Sequence, residues 1–86
     1  MPATIEVMIV DRHAIVRECI RRIAADTADI AIADEASSLR AASAAVRSRR
    51  FDLLVADIAT EGGIALDGIR QLRSIAPAVP ILVFSG

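Results

Sequence analysis

Two aspartates and a serine each follow a short apolar run in this sequence of 86 residues. Asp11 follows "IEVMIV", Asp57 follows "LLVA" and Ser85 follows "ILVF". If these runs are strands of one parallel sheet, their carboxyl ends meet at one edge and the three side chains converge there. Converging carboxylates suit a hard cation such as Mg²⁺, which prefers oxygen ligands. A carboxylate beside a metal ion can also attack phosphorus as a nucleophile.

The elements that would position these side chains are four apolar runs alternating with three helical patterns. The runs are too short for helices and too apolar for strands with one solvated face, so we expect strands buried on both faces. We place them at Ile5–Val10, Ile30–Ala33, Leu53–Ala56 and Ile81–Phe84. Apolar residues at helical spacing predict helices at about His13–Ala25, Leu39–Ser48 and Ala65–Ile75. This order predicts a doubly wound α/β fold with a parallel sheet.

The composition predicts a single small globular domain. Hydrophobic residues make up 55% and charged residues 24% of the chain, which argues for a packed core. The net charge of -1 gives no basic field that would attract nucleic acid or anionic lipid. We expect a cytoplasmic protein, because the sequence has neither a signal peptide nor an apolar run long enough to cross a bilayer. Cys19, the single cysteine, lies on the apolar stripe of the first helix and is predicted to be a core thiol.

Four stretches make the chain resemble the receiver domain of bacterial two-component response regulators. They are "IVDRHAIVRECI", "ADEASSLRAA", "FDLLVADI" and "IRQLRSIAPAVPILVFSG". The subfamily it resembles most is the LuxR/NarL/FixJ type, in which a receiver precedes a DNA-binding domain. The resemblance implies a flavodoxin-like (CheY-like) sheet, incomplete here. Residues 1–86 would be the N-terminal portion of a receiver, up to its fourth strand, with the output DNA-binding domain absent from this chain.

The resemblance also implies roles for individual residues. Asp57 matches the phosphoacceptor, which takes a phosphoryl group from a sensor histidine kinase. Asp11, Asp57 and the backbone carbonyl of Ala59 match the groups that hold Mg²⁺. Ser85 matches the switch hydroxyl, which moves to the phosphoryl oxygen. The implied partners are the kinase and, as a candidate, a second copy of the chain. DNA would be contacted only through the output domain, and no membrane is involved.

The sequence departs from the family pattern at several positions. Arg12 stands where a second metal-binding acid is usual, Glu61 replaces a loop proline, and Ile64-Ala65 replaces an Asp-Gly pair. The lysine that the family places at the end of its fifth strand has no counterpart in this chain, which has neither that strand nor any lysine. A guanidinium cannot become a metal ligand, so Arg12 is expected to modify the site by weakening the binding of a divalent cation.

Three functions remain open from the sequence. The first is a phosphorylatable receiver that controls a DNA-binding output, and the second is a degenerate receiver that binds partners without phosphorylation. The third is a small metal-dependent phosphatase, which the lack of an acid/base partner disfavours, so we expect no enzyme beyond self-phosphorylation. His13 is interpreted as a residue of the helix start, because a lone histidine gives no metal cluster.

Overall fold

The computed structural model describes residues 4–57 and 66–84. Its strands are β1 (Ile5–Val10), β2 (Ile30–Ala36), β3 (Leu53–Asp57) and β4 (Ile81–Phe84). Its helices are α1 (Ala14–Ala25), α2 (Leu39–Ser48) and α3 (Leu66–Ile75). Within these ranges no helix has the length and apolar character needed to cross a membrane.

The four strands form one parallel sheet in the order β2-β1-β3-β4, which confirms the predicted doubly wound α/β fold. The chain builds outward from β1, first to β2 on one side and then to β3 and β4 on the other. The order of the strands therefore reverses between β1 and β3. A crevice opens beyond the carboxyl ends of the strands at such a point, because the flanking connections run to opposite faces of the sheet.

The second strand is longer than the sequence predicted. We expected it to end at Ala33, but it continues to Ala36. The pairing with β1 shifts by one residue, since Val7 pairs with Ile32 and Met8 with Asp34. Such a bulge inserts one extra residue on β2 and breaks the simple alternation of side chains. The acidic pair Asp34-Glu35 therefore lies within the strand rather than in a loop after it.

One face of the sheet carries the main core, which is aliphatic as the composition predicts. Met8, Val10, Leu54 and Ala56 of the sheet are buried there against α2 and α3. Leu39 and Ala42 of α2 belong to this core, and Leu72 of α3 is fully buried in it. The two helices approach closely at Gly68, where an added Cβ would lie within 3.3 Å of Cβ and Cγ of Leu39.

The opposite face of the sheet carries α1 and is less completely covered. The prediction that Cys19 is a core thiol is wrong, because its side chain is exposed, and Ile23 on the same stripe is 69% exposed. The expectation that every strand is buried on both faces also fails at β4, where Leu82 is 57% exposed. An apolar groove of about 490 Å³ runs between helix and sheet and is lined by Ile15, Val16, Cys19, Ile20, Val55, Leu82 and Phe84.

Two arginines of α1 fasten this helix to β2 through one carboxylate. Arg17 Nε donates a hydrogen bond to Glu35 Oε1 at 2.7 Å, and an Arg21 guanidinium N–H donates to Glu35 Oε2. The hydrogen bonds from Arg21 and then Arg17 hold the pKa of Glu35 below its ordinary value of 4.5. Because the bulge places Glu35 beside α1, these bonds fix the end of β2 relative to the first turns of the helix.

The lowered pKa of Glu35 makes the stability of the fold depend on pH. The arginines bind the charged form of the carboxylate. The stability that Glu35 contributes is therefore present above its ordinary pKa and is lost as the pH falls through its lowered pKa in the folded state. We expect Glu35→Gln to reduce the free energy of unfolding by about 0.5–1 kcal/mol at pH 7, a figure discounted because solvent reaches Arg21. Urea denaturation at pH 7 and at pH 3 measures this difference.

A matched control is Glu18→Gln, which removes the exposed pair between Glu18 and Arg22 within α1, with an N···O distance of 3.3 Å. Because this pair is more solvated, we expect Glu18→Gln to lower the free energy of unfolding by less than Glu35→Gln does, and by an amount that depends little on pH. Parallel stability profiles for the wild type and Glu35→Gln from pH 3 to pH 7 would show that protonation of Glu35 does not change the stability of the fold.

The apolar edge strand and groove predict that the 86-residue chain associates with itself. β4 is an edge of the sheet and exposes Leu82 and Val83, and exposed apolar edges pair readily with other chains. We expect Leu82→Arg to shift the chain to monomers in light scattering coupled to size-exclusion chromatography, while Ala44→Arg on the exposed side of α2 leaves association unchanged. A monomeric wild type at high concentration would refute this expectation.

Candidate functional site

Asp11 is the first residue after β1 and forms the centre of the site. Its side chain is completely buried, and its backbone N–H continues the sheet by donating to Ala36 O at 3.0 Å. The carboxylate oxygen Oδ1 accepts the backbone N–H of His13 at 2.7 Å. A side-chain acceptor for the N–H two residues later is the bond that forms an Asx turn. This turn redirects the chain from β1 into α1.

The turn also brings the imidazole of His13 against Asp11. Nδ1 of the ring lies 3.1 Å from the same Oδ1. His13 is the N-cap residue of α1, as expected from the sequence, but its side chain makes no capping hydrogen bond. The ring is half-exposed, so it forms one wall between the buried carboxylate and solvent.

Arg17 holds the backbone of this corner in place from the next turn of α1. Its Nη1 donates to the backbone oxygen of Asp11 at 2.6 Å, while Nε binds Glu35. The guanidinium therefore joins the ends of β1 and β2 to one helix. Because its donors are fixed in one plane, Arg17 restricts the position of Asp11 more than a lysine would.

Asp57, the last residue of β3, supplies the second buried carboxylate and is 4% exposed. Val10 pairs with Ala56, so Asp11 and Asp57 follow neighbouring residues of adjacent strands. One donor atom from each of Asp11, His13 and Asp57 lies within 4.8 Å of the others. The reversal of strand order thus places two carboxylates and an imidazole together at the carboxyl edge of the sheet.

These three residues line a pocket of about 290 Å³, together with Ile15, Val16 and Phe84. Oδ2 of Asp11 is buried and has no hydrogen-bond partner among the residues that the structure describes. A buried carboxylate oxygen without a partner carries a desolvation cost that a cation would offset. The donor set therefore fits a divalent metal ion, because two carboxylates can balance its charge.

The structure brings together two of the residues that the sequence singled out, Asp11 and Asp57. Ala59 and Ser85 lie outside the described residues. Arg12 is exposed, and none of the ion pairs found within residues 4–57 and 66–84 joins it to an aspartate of the pocket.

Sequence reasoning missed three contributors to this corner. His13 was assigned only to the helix start, whereas its ring lies in the pocket. Arg17 and Glu35 had no assigned role. A signal for His13 was available, because an aspartate at a strand end often accepts the N–H two residues later and brings that residue close. The Arg17–Glu35 pair gave no such signal, since it depends on the bulge in β2.

Comparison with known proteins agrees with this geometry. The family model of the response regulator receiver domain matches residues 7–86. No sequence among the curated proteins matches the chain. A LuxR-family two-component response regulator from Aurantimonas sp. SI85-9A1 has a similar structure, with a TM-score of 0.86 and 31% identity. The match covers 96% of this chain and 59% of that one.

Two further similar structures are less than 25% identical and support the fold alone. RcsB from Salmonella enterica serovar Typhimurium, bound to a promoter with a phosphomimetic, has a TM-score of 0.87 and 21% identity, over 95% of this chain and 42% of that one. The non-phosphorylated receiver domain of RcsB from Escherichia coli has a TM-score of 0.85 and 20% identity, and the match covers 95% of this chain and 65% of that one.

This chain spans less than two thirds of the length of each of these three structures. The family match, however, extends over nearly the whole chain and includes both aspartates of the pocket. The parallel sheet and the position of Asp11 and Asp57 at its carboxyl edge are consistent with that match. The chain belongs to the response regulator receiver domain family of two-component systems.

Proposed function

We propose that this protein is a phosphoacceptor that takes a phosphoryl group on Asp57 from a sensor histidine kinase. The observation that carries the proposal is the pair of buried carboxylates, Asp57 and Asp11, at the point where the strand order reverses. Asp57 lies at the pocket wall, so a donor phosphate can reach it. Membership of the receiver family supports a signalling role, in which no substrate is turned over by this domain.

In the proposed reaction a carboxylate oxygen of Asp57 attacks the phosphorus of a kinase phosphohistidine. The new bond is O–P, the N–P bond breaks, and its electron pair returns to the imidazole of the kinase. The product is an acyl phosphate on Asp57. Phosphoryl transfer needs mainly positioning and neutralisation of charge on the transferring group.

Several groups of the chain are proposed to supply that neutralisation. Asp11, Asp57 and the backbone carbonyl of Ala59 would hold Mg²⁺, which screens the phosphoryl oxygens when it is bound. The hydroxyl of Ser85 would donate a hydrogen bond to a phosphoryl oxygen and transmit the change. Arg17 keeps Asp11 in position through the backbone oxygen of that residue.

The output that phosphorylation would control is proposed to be transcription. The similar protein from Aurantimonas sp. SI85-9A1 is a LuxR-family response regulator, and RcsB from Salmonella has been solved bound to a promoter. DNA contact would come from a further domain, because this chain has a net charge of -1. The same proposal includes a cytoplasmic location, where an output domain would contact DNA, and a homodimer as a further partner state.

A second candidate function is a degenerate receiver that binds a partner without phosphorylation. Arg12 favours it, because a guanidinium stands beside Asp11 where the family usually has another acid. The side chain of Arg12 is exposed, so it lowers the affinity for a divalent cation through its charge rather than by filling the pocket. Without bound Mg²⁺, transfer to Asp57 would be slow and the domain would act through its surfaces.

Chemical phosphorylation distinguishes the two functions. We expect the full-length protein to form an acid-stable, hydroxylamine-labile adduct with acetyl phosphate and Mg²⁺, detected by intact mass. Asp57→Ala should abolish the adduct, because the acceptor oxygen is removed. Asp34→Ala removes an exposed carboxylate of β2 and should leave the adduct unchanged. An unmodified wild type whose partner binding is the same in Asp57→Ala would support the degenerate receiver instead.

The effect of Arg12 on the metal site can be measured by calorimetric titration with Mg²⁺. Arg12→Asp replaces a cation by a carboxylate next to Asp11, so we expect Mg²⁺ affinity to rise by about tenfold or more. Arg73→Asp makes the same change of charge at the end of α3 and should have little effect. If Arg12→Asp binds Mg²⁺ no more tightly than the wild type, Arg12 does not weaken the site.

A further inference from the structure

We propose that the acidic pocket binds a divalent transition-metal ion of the Fe²⁺–Zn²⁺ series in preference to Mg²⁺, with the imidazole of His13 as one ligand beside Asp11 and Asp57. The proposal rests on the pocket assigned in the proposed function, but not on phosphoryl transfer. Its basis is the position of the His13 ring, which the family resemblance did not assign to the metal site.

The distances between the donor atoms suit a common ion. Nδ1 of His13 and Oδ1 of Asp11 are 3.1 Å apart. Two ligands that each lie about 2.1 Å from an ion, at about a right angle, are separated by about 3.0 Å. The full set of three donors lies within 4.8 Å. Opposite ligands would be about 4.2 Å apart, so closing around an ion requires shifts of only some tenths of an ångström.

A second, independent observation favours a cation in the pocket. Asp11 is completely buried, and its Oδ2 has no partner within the described ranges 4–57 and 66–84. Its other oxygen accepts the His13 N–H and lies beside the ring. A buried carboxylate left half-satisfied is costly. An ion that contacts both oxygens of Asp11 would also bind Oδ2, the atom that the protein leaves without a hydrogen bond.

The local structure does not otherwise require the imidazole. His13 begins α1, yet its side chain makes no capping bond, and the turn uses only its backbone N–H. A serine or asparagine would serve better at an N-cap. The ring is instead half-exposed at the wall of the pocket, where an imidazole can bind an ion while solvent completes the coordination.

The chemistry of the donors determines which ion is preferred. Imidazole nitrogen binds Fe²⁺, Co²⁺, Ni²⁺ and Zn²⁺ well, whereas Mg²⁺ prefers an all-oxygen set. The usual second acid of the family is Arg12 here, so one oxygen donor suited to Mg²⁺ is lost. Two carboxylates still balance the double charge of the ion, and the neutral imidazole adds a ligand without adding charge.

The test compares Co²⁺, Zn²⁺ and Mg²⁺ binding to metal-free full-length protein, purified without a histidine tag. We expect Co²⁺ and Zn²⁺ to bind more tightly than Mg²⁺ in calorimetric titrations. His13→Ser should lower their affinities at least about tenfold and leave Mg²⁺ affinity unchanged. The imidazole resonances that are absent from the spectrum of His13→Ser belong to His13, so their paramagnetic shifts with Co²⁺ report directly on ligation.

The variants separate ligation from folding. Serine is a good N-cap residue, so His13→Ser should keep or increase the melting temperature of the metal-free protein. Asp11→Asn should weaken all three ions, while Asp34→Asn on the exposed surface of β2 should weaken none. Co²⁺ affinity unchanged in His13→Ser, or ring resonances unaffected by Co²⁺, would overturn the proposal.

The outcome is also separable from that of the proposed function. Transition-ion binding that requires His13, in a protein that acetyl phosphate leaves unmodified, supports this inference and rejects the phosphoacceptor. An adduct on Asp57 with no preference for Co²⁺ or Zn²⁺ over Mg²⁺ rejects this inference and supports the phosphoacceptor.

Discussion

The buried carboxylate of Asp11 is the interaction on which the rest of the site depends. Burial of a charge costs several kcal/mol unless partners offset it. Here the His13 N–H binds one oxygen, and Arg17 binds the backbone carbonyl of Asp11. The direction of α1, the position of the imidazole and the bond to β2 all follow from these contacts, and Oδ2 remains for a cation.

The sheet explains why the second carboxylate lies beside the first. Parallel strands end at one edge, and Asp57 follows the residue that pairs with Val10. The reversal of strand order between β1 and β3 opens the space above them. Apolar side chains of α1 and β4 close one side of the pocket and continue into the exposed groove. Site and groove therefore share a wall, so a molecule in the groove would lie beside the acidic pocket.

Much of the fold was predictable because its local signals agree. The apolar runs located every strand, and periodicity located the three helices to within about a residue at each end. The errors arose where the signal was not local. The bulge that extends β2 to Ala36 depends on pairing with β1. Cys19 lies on a genuine apolar stripe, but whether that stripe is buried depends on how much of it the sheet covers.

The sequence by itself determined that Asp11 and Asp57 follow apolar strands of one parallel sheet, because chain order and apolar runs specify a doubly wound fold. That these two strands are neighbours was decided by the strand order of the folded sheet. The sequence also determined that Arg12 replaces an acid. Only the tertiary structure decided that the His13 ring lies against Asp11, that Arg17 reaches the Asp11 carbonyl, and that Glu35 lies where both arginines can bind it. The physical reason is that such contacts depend on turn geometry and strand register, which residue types and spacing do not specify.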